Sequence, residues 1–451
     1  MPYGLQFLLM EMADGTLLPY TAESYTLDTK DPKAVALTFK IKKGVKFQDG
    51  SDFTAPVMKW NLEQAKVGAY DAQNFLVMSK FECPDDYTLT ITYSKWRNQD
   101  LRAWADCATF FCSKAAFDKY GKEYMKWHMV GTGPFLQTDW QQDVQLKVRR
   151  SDTYWEKGKP YLDGADILYV TDETTRRALF ESGGCDAMDS GPRNASELKT
   201  KGYTIITKQG GPAALIPDSA NKDSPWSNLK VRQAAEYAID KKAIADAFGW
   251  GFSVPAYQLA VPSLKSYDPN FAGERKYDVA KAKALLSEAG FPNGFKTEIH
   301  CGSSQMDTAV AIKSYLDAVG IQTSVSLEDA AKLSQMGVGP TAGWSGLYMT
   351  GFNHWPNYNV QLNFFFGANT AWYKNVKRPE GWVPIVKATV ESIEQDVALQ
   401  KVATRALYDD CTFIGLTAGS AIIATTSKVH DTGYSERGSC FWFPENAWLS
   451  K

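Results

Sequence analysis

Four histidines (His128, His300, His354, His430) and seven cysteines (Cys83, Cys107, Cys112, Cys185, Cys301, Cys411, Cys440) are the side chains that could bind a metal or attack a substrate. No two histidines share a metal-ligand spacing, and no two cysteines form C-x-x-C, which excludes a zinc hydrolase of the H-E-x-x-H type. No G-x-S-x-G, P-loop or activated Cys–His pair is present. Two carboxylate pairs, Asp49 with Asp52 and Asp85 with Asp86, have the residue types of a glycosidase. Both fall in turn segments, where Asp commonly bonds to its own backbone. Gly131-Thr-Gly-Pro reads as a loop and not a phosphate cradle, because it lacks the six-position glycine spacing and a following helix.

Binding chemistry is better represented. The stretch from Gly343 to Asn359 gathers Trp344, Tyr348, Phe352, Asn353, His354, Trp355, Asn357, Tyr358 and Asn359, with no carboxylate from Thr341 to Phe366. Flat apolar faces with interspersed amides suit a neutral solute such as a sugar or an aromatic compound. Core packing is the competing reading for Trp344, Tyr348 and Phe352. A turn around Pro356 competes for Asn353, His354 and Asn357. A lone His354 is more often a hydrogen-bonding loop residue than a metal ligand, and no cofactor is expected.

The elements that must position these residues follow from composition and periodicity. Lys plus Arg is 49 and Asp plus Glu is 51, a net charge of −2, which argues against a nucleic-acid partner or a polybasic membrane surface. Hydrophobic residues at 44% can fill ordinary cores. The 59 aromatics (14 Trp, 22 Tyr, 23 Phe) exceed what core filling usually requires. The longest apolar runs, such as Ala421–Ala424, fall far short of the ~20 residues of a membrane span. Cys107 and Cys112 are close enough in sequence to be bridged, though two buried thiols are an equal expectation. At ~150 residues per domain the chain has room for about three compact units.

Val35, Leu37, Phe39 and Ile41 alternate on one face of a strand, and Leu89–Tyr93 reads as a second. Thr54-Ala-Pro starts a helix carrying Met58, Leu62 and Ala65. Strands follow around Phe135–Thr138, Val144–Arg149 and Ile167–Val170, then a helix over Glu173–Glu181. Helices are predicted over Val231–Phe248, Asp278–Ala289 and Asp307–Val319, with strands Lys296–His300 and Gln322–Ser326 around the last. The pattern is an α/β layer architecture in more than one unit.

Five ordered blocks then resemble one family. Leu37-Thr-Phe-Lys-Ile-Lys-Lys-Gly-Val-Lys-Phe-Gln-Asp-Gly-Ser-Asp-Phe-Thr-Ala resembles the segment by which family 5 extracellular solute-binding proteins are recognised. The second block is Val130–Phe135 with Tyr154-Trp155 and Lys159–Asp163. The third is Asp172–Arg176 with Glu181–Asp186. Val231-Arg-Gln-Ala-Ala-Glu-Tyr-Ala-Ile-Asp and Ala280–Gly294 complete the set. The family usually has an acidic pair before the first helix, where this chain has Thr54-Ala-Pro-Val.

The resemblance implies the receptor component of a peptide/nickel-type ABC importer, not an enzyme. Its fold is two-lobed and periplasmic-binding-protein-like (type II, cluster C-like), with an extra subdomain in the first lobe. Mapped here, subdomain Ia takes 1–22, 128–222 and 418–451, subdomain Ib takes 23–127, and lobe II takes 223–417. Hinge crossings fall near Pro217–Lys222 and Thr412–Ala418. The implied mechanism is capture of a small solute in an interlobe cleft by hinge closure, then delivery to membrane permease subunits by a monomeric, exported protein. Tyr3, Gln6, Trp96, Trp104 and Trp442 are further cleft candidates, with strand-face packing as their alternative. Family members carry a signal peptide and a first strand ahead of the segment resembling Gly4–Pro19, so a late start of this chain is expected.

Peptide-binding relatives read roughly W-x-A-D-Y-x-D-P where this chain has Phe352-Asn-His-Trp-Pro-Asn-Tyr-Asn. Their acid pairs the α-ammonium of the ligand, and an unpaired buried charge costs about 3–5 kcal/mol. The resemblance therefore favours a neutral or aromatic solute over an ordinary free peptide, unless an acid such as Asp186 or Asp189 substitutes.

Overall fold

The computed structural model describes residues 3–31, 33–68, 73–105, 109–339, 341–368, 370–438, 442 and 444–451. The chain divides into two compact units. Met1–Ser190, Lys201–Ile206 and Ile423–Lys451 form the first, and Gly191–Thr200 with Thr207–Ile422 form the second. Two of the four unit boundaries fall inside long strands, Thr204–Pro217 and Ile414–Thr425, and the other two flank the helix Pro192–Thr200. The crossings expected from sequence stand at the second-unit ends of the same two strands. Pro217 and Asp218 mark where a strand stops, but no compositional break marks where the chain changes unit.

In the first unit, a four-stranded antiparallel sheet has the order Ala22–Asp28, Val35–Ile41, Thr88–Tyr93, Met78–Asp85. Val35, Leu37, Phe39 and Ile41 are each 0–1% exposed, as strand alternation requires. Met58 and Leu62, on the helix Ala55–Gly68, join the same core. A separate meander contains Phe135–Gln141, Gln145–Arg150 and Gly164–Leu168. Its third strand ends earlier than periodicity suggests, because Leu168 pairs with Gln145, the first residue of its neighbour. The glycines of Gly131-Thr-Gly-Pro admit the segment beginning at Tyr3. A Cβ on Gly131 would lie 2.2 Å from the Gly4 oxygen, and one on Gly133 2.6 Å from the Tyr3 oxygen. Phe135 and Gly133 donate their amides to Tyr3 (3.1 Å) and Gly4 (3.0 Å).

In the second unit, Phe295–Cys301 and Ile321–Leu327 are parallel, joined by the crossover helix Met306–Asp317. Leu347–Gly351 runs parallel to Phe295–Cys301 on one side and antiparallel to Thr204–Pro217 on the other. Leu347 and Met349 point into one core with Leu215, while Tyr348 points into another with Ala214 and Ile216. The predicted single helix Val231–Phe248 is instead two, Leu229–Ala238 and Lys241–Gly249. Ile239 is extended, and the Asp240 carboxylate caps the second helix by accepting from the Ala243 amide at 2.9 Å. Among the described residues no helix is long and apolar enough to cross a membrane. Cys83, Cys112, Cys185, Cys301 and Cys411 carry free thiols, while Cys107 and Cys440 lie outside the described residues.

Candidate functional site

Strand Leu347–Gly351 is the spine of the aromatic segment, with Trp344 before it and Phe352–Trp355 after it. The Trp344 indole donates to the Ile216 oxygen at 2.9 Å and packs 5.0 Å from Tyr348. Tyr348 is buried, and its hydroxyl donates to the Leu333 oxygen at 3.2 Å. Phe352 is 3% exposed, with rings of Phe365 at 5.0 Å and Phe413 at 5.5 Å. Gly211 permits this packing, since a Cβ there would sit 1.8 Å from the Phe352 oxygen. Tyr373, which sequence reasoning missed, is fully buried in a left-handed conformation (φ 49°) and contacts Trp344, Tyr348, Phe352 and Phe365.

Helix Tyr358–Phe366 takes up other expected ligand contacts. Asn357 is its N-cap, accepting from the Asn359 amide at 3.1 Å. Tyr358 is buried and shares a 2.7 Å hydrogen bond with Thr404. Asn359 is also buried, donating to the Thr389 oxygen at 3.1 Å. Gln361 ties the helix to the preceding loop through a 2.7 Å bond to the Asn353 oxygen. Tyr348, Phe352, Asn357 and Tyr358 thus hold the segment together instead of presenting themselves to a solute.

Asn353 is exposed, and His354, Trp355 and Trp372 are half-buried. Phe364 is 40% exposed, on the same helix whose Phe365 and Phe366 are buried. The ring centroids of Trp355 and Phe364 are 5.3 Å apart, and those of Phe364 and Trp372 are 5.4 Å apart. Trp355 and Phe364 meet nearly at right angles (85°) and Phe364 and Trp372 at 42°, so the three rings make a partly open, stepped aromatic platform close in sequence to Asn353 and His354. Phe364 and Trp372 were missed from sequence, although a signal existed. Three consecutive aromatics on a helix are spread over about 200°, so one of Phe364-Phe365-Phe366 must turn from the core.

Similarity supplies the family. Residues 16–374 match "Bacterial extracellular solute-binding proteins, family 5 Middle". The glutathione-binding protein GsiB of Escherichia coli (strain K12) is 30% identical over 445 residues, 92% of this chain and 84% of GsiB. The chain belongs to this family. It is a solute-binding receptor of the kind that serves ABC importers, and family members deliver solutes to permease components. Among solved structures, AgaA of A. tumefaciens R10 in complex with agropinic acid aligns with TM-score 0.79 at 24% identity, covering 100% of this chain and 93% of AgaA. DppA of Helicobacter pylori in complex with peptide STSA aligns with TM-score 0.81 at 22% identity, covering 100% and 93%. Both share the two-lobed fold.

As a family 5 receptor, the chain also carries candidates in its first unit. The half-buried Tyr3 has its phenol pushed up to about 12, by burial first and then by the Tyr169 and Asp189 charges. Gln6 is buried and binds the hydroxyls of Tyr20 (2.7 Å) and Tyr154 (2.9 Å) and the Trp155 indole (3.0 Å). Trp96 and Trp104 lie in the core around Tyr93, whose hydroxyl accepts from Trp104 at 2.9 Å. The Trp442 indole is half-buried and donates to the Thr432 oxygen at 2.7 Å. Gln6, Trp96 and Trp104 therefore have packing roles, while Tyr3 and Trp442 keep some open surface.

The carboxylate pairs have local tasks. Asp49 accepts from the Ser51 amide (3.0 Å) and hydroxyl (2.6 Å), and Asp52 pairs with Lys46 at 2.7 Å. Asp85 accepts from the Tyr87 amide (2.8 Å) and the Thr88 hydroxyl (2.9 Å). Among the described residues no three His, Cys, Asp or Glu side chains converge as a metal cluster.

Proposed function

We propose that this receptor captures a solute with a flat apolar group on the platform of Trp355, Phe364 and Trp372. Asn353 and His354 supply hydrogen bonds, and Trp344 supports the platform through the shared aromatic cluster. The carrying observation is three partly open rings spaced 5.3–5.4 Å apart on a segment without a carboxylate. Stacking holds an apolar face, whereas nothing on that segment would neutralise an ammonium. In this reading the solute favours the closed lobe arrangement through its differential affinity. The protein then works as a monomer outside the cytoplasmic membrane and hands its solute to permease subunits. A second reading, a glutathione-like peptide, is favoured by the 30%-identical GsiB relatives.

A thermal-shift screen tests both. It would use glutathione, di- to pentapeptides, cello- and xylo-oligosaccharides, opines, aromatic acids and nickel chelates. A solute at 100 times its Kd adds about 2.7 kcal/mol to stability. Stabilisation by aromatic compounds or sugars, lost in Trp355→Ala, supports the platform. Stabilisation by free peptides alone rejects it and leaves the receptor role standing.

A further inference from the structure

Arg378 follows the platform in the chain and folds back against the backbone of Phe365 and Trp372. Its Nη1 lies 3.4 Å from the Tyr373 and Val376 carbonyl oxygens, and its Nη2 lies 3.3 Å from those of Phe365 and Trp372. The guanidinium also stands 5.1 Å from the centre of the Phe366 ring. All four polar contacts are longer than the usual 2.7–3.2 Å N–H···O bond. Among the described residues no carboxylate pairs with Arg378, and burial pulls the guanidinium down to about 10. Neighbouring Lys377, by contrast, interacts with Asp410. The sequence extends the imbalance. From Ala330 to Pro379 there is no Asp or Glu, but there are Lys332, Lys374, Lys377 and Arg378. A half-buried cation without a carboxylate partner leaves positive charge beside the backbone of Trp372, a platform residue, and a low local dielectric strengthens its field.

We propose that Arg378 is a specificity-determining residue whose charge makes the platform select an anionic solute, a flat apolar group carrying a carboxylate. This rests on the platform reading above and replaces a neutral solute with a negatively charged one. The carbonyls engage both Nη groups, so the charge acts chiefly through its field. The same field repels an ammonium, in keeping with the missing acid. A purely structural Arg378 would only satisfy carbonyls at the end of helix Tyr358–Phe366.

Matched acids and amides separate the two roles. Calorimetry would compare phenylacetate, indole-3-acetate and hippurate with their carboxamides, on the full chain and on Arg378→Lys and Arg378→Gln, with circular dichroism confirming each fold. The expected result is at least tenfold tighter binding of an acid than of its amide. Arg378→Lys keeps that ratio, and Arg378→Gln brings it near one while changing amide affinity less than threefold. Should Arg378→Gln not fold, acid binding that weakens with added salt while amide binding does not supports the same conclusion, and salt-independent acid binding overturns it. Equal binding of acids and amides, no binding of any pair, or an equal loss of both in Arg378→Gln also overturns it. Equal binding that still depends on Trp355 removes the charge inference alone, whereas binding indifferent to Trp355→Ala removes the platform.

Discussion

Trp355→Ala is the perturbation that most directly tests the platform. The Trp355 ring contacts Phe364 edge-on at 5.3 Å and lies parallel to Phe365 at 5.9 Å, so part of it is spent on packing. If roughly a third of a Trp's ~200 Å² is left for the solute, covering it at ~25 cal/mol per Å² contributes ~1.6 kcal/mol. An aromatic pair adds ~1 kcal/mol beyond area. The sum of ~2.6 kcal/mol corresponds to roughly 70-fold in Kd at ~1.4 kcal/mol per decade. The assay is calorimetric titration with the tightest solute from the screen, alongside urea unfolding of each variant. Tyr358→Phe is the matched control on the same segment. It removes the 2.7 Å bond to Thr404, costs about 1 kcal/mol of stability, and leaves affinity unchanged. Unchanged affinity in Trp355→Ala, or an equal affinity loss in Tyr358→Phe, would refute the division between exposed platform and buried support.

Three further outcomes follow from packing and charge. Gly211→Ala should cost about 3 kcal/mol or more, because its Cβ would meet the Phe352 oxygen at 1.8 Å. Gly343→Ala, with nothing within 4 Å, should stay within about 0.5 kcal/mol, and urea midpoints compare the two. Lys241→Met should cost about 3–5 kcal/mol by leaving Glu236 buried and unpaired, where the two now meet at 2.5 Å. Adding Glu236→Leu should restore most of that loss, and failure to do so would place the cost elsewhere. The Cys411 thiol is buried and pushed up to about 12, so it should resist iodoacetamide at pH 8 in the native protein and react only after unfolding, as read by peptide mapping.

What the sequence conveyed about fold and site differs for physical reasons. Alternation placed Val35–Ile41 correctly because one face of that strand is buried, and the helix expected over Glu173–Glu181 has those bounds because Asp172 caps its start. The break at Ile239 was overlooked because apolar spacing continues across it, although Asp240 is a cap signal. Within the candidate site, residue type alone could not tell Asn357 from Asn353. The first caps a helix and the second is exposed, and only the position of the helix start separates them. Trp372 was out of reach of local pattern. It meets Phe364 because the chain turns back after the helix, with Tyr373 in the left-handed region that favours glycine.

The blocks that identify the family are mostly occupied with holding the fold, which explains why membership does not name a solute. In Val231-Arg-Gln-Ala-Ala-Glu-Tyr-Ala-Ile-Asp, Arg232 is fully buried and donates to the oxygens of Asp410 (2.8 and 3.0 Å), Trp226 (2.9 Å) and Ser227 (3.0 Å). Glu236 pairs with Lys241, and Asp240 caps the following helix. Each of these side chains is committed to another part of the same unit, and leaving a partner unpaired there would cost several kcal/mol. The segment from Phe352 to Arg378 is under a different constraint. Its buried members fix the backbone, while Asn353 and Phe364 are exposed and His354, Trp355 and Trp372 are half-buried. On the platform reading, solute preference can vary here against a constant scaffold, and the absence of any acid from Ala330 to Pro379 is a property of this chain's chemistry and not of its fold.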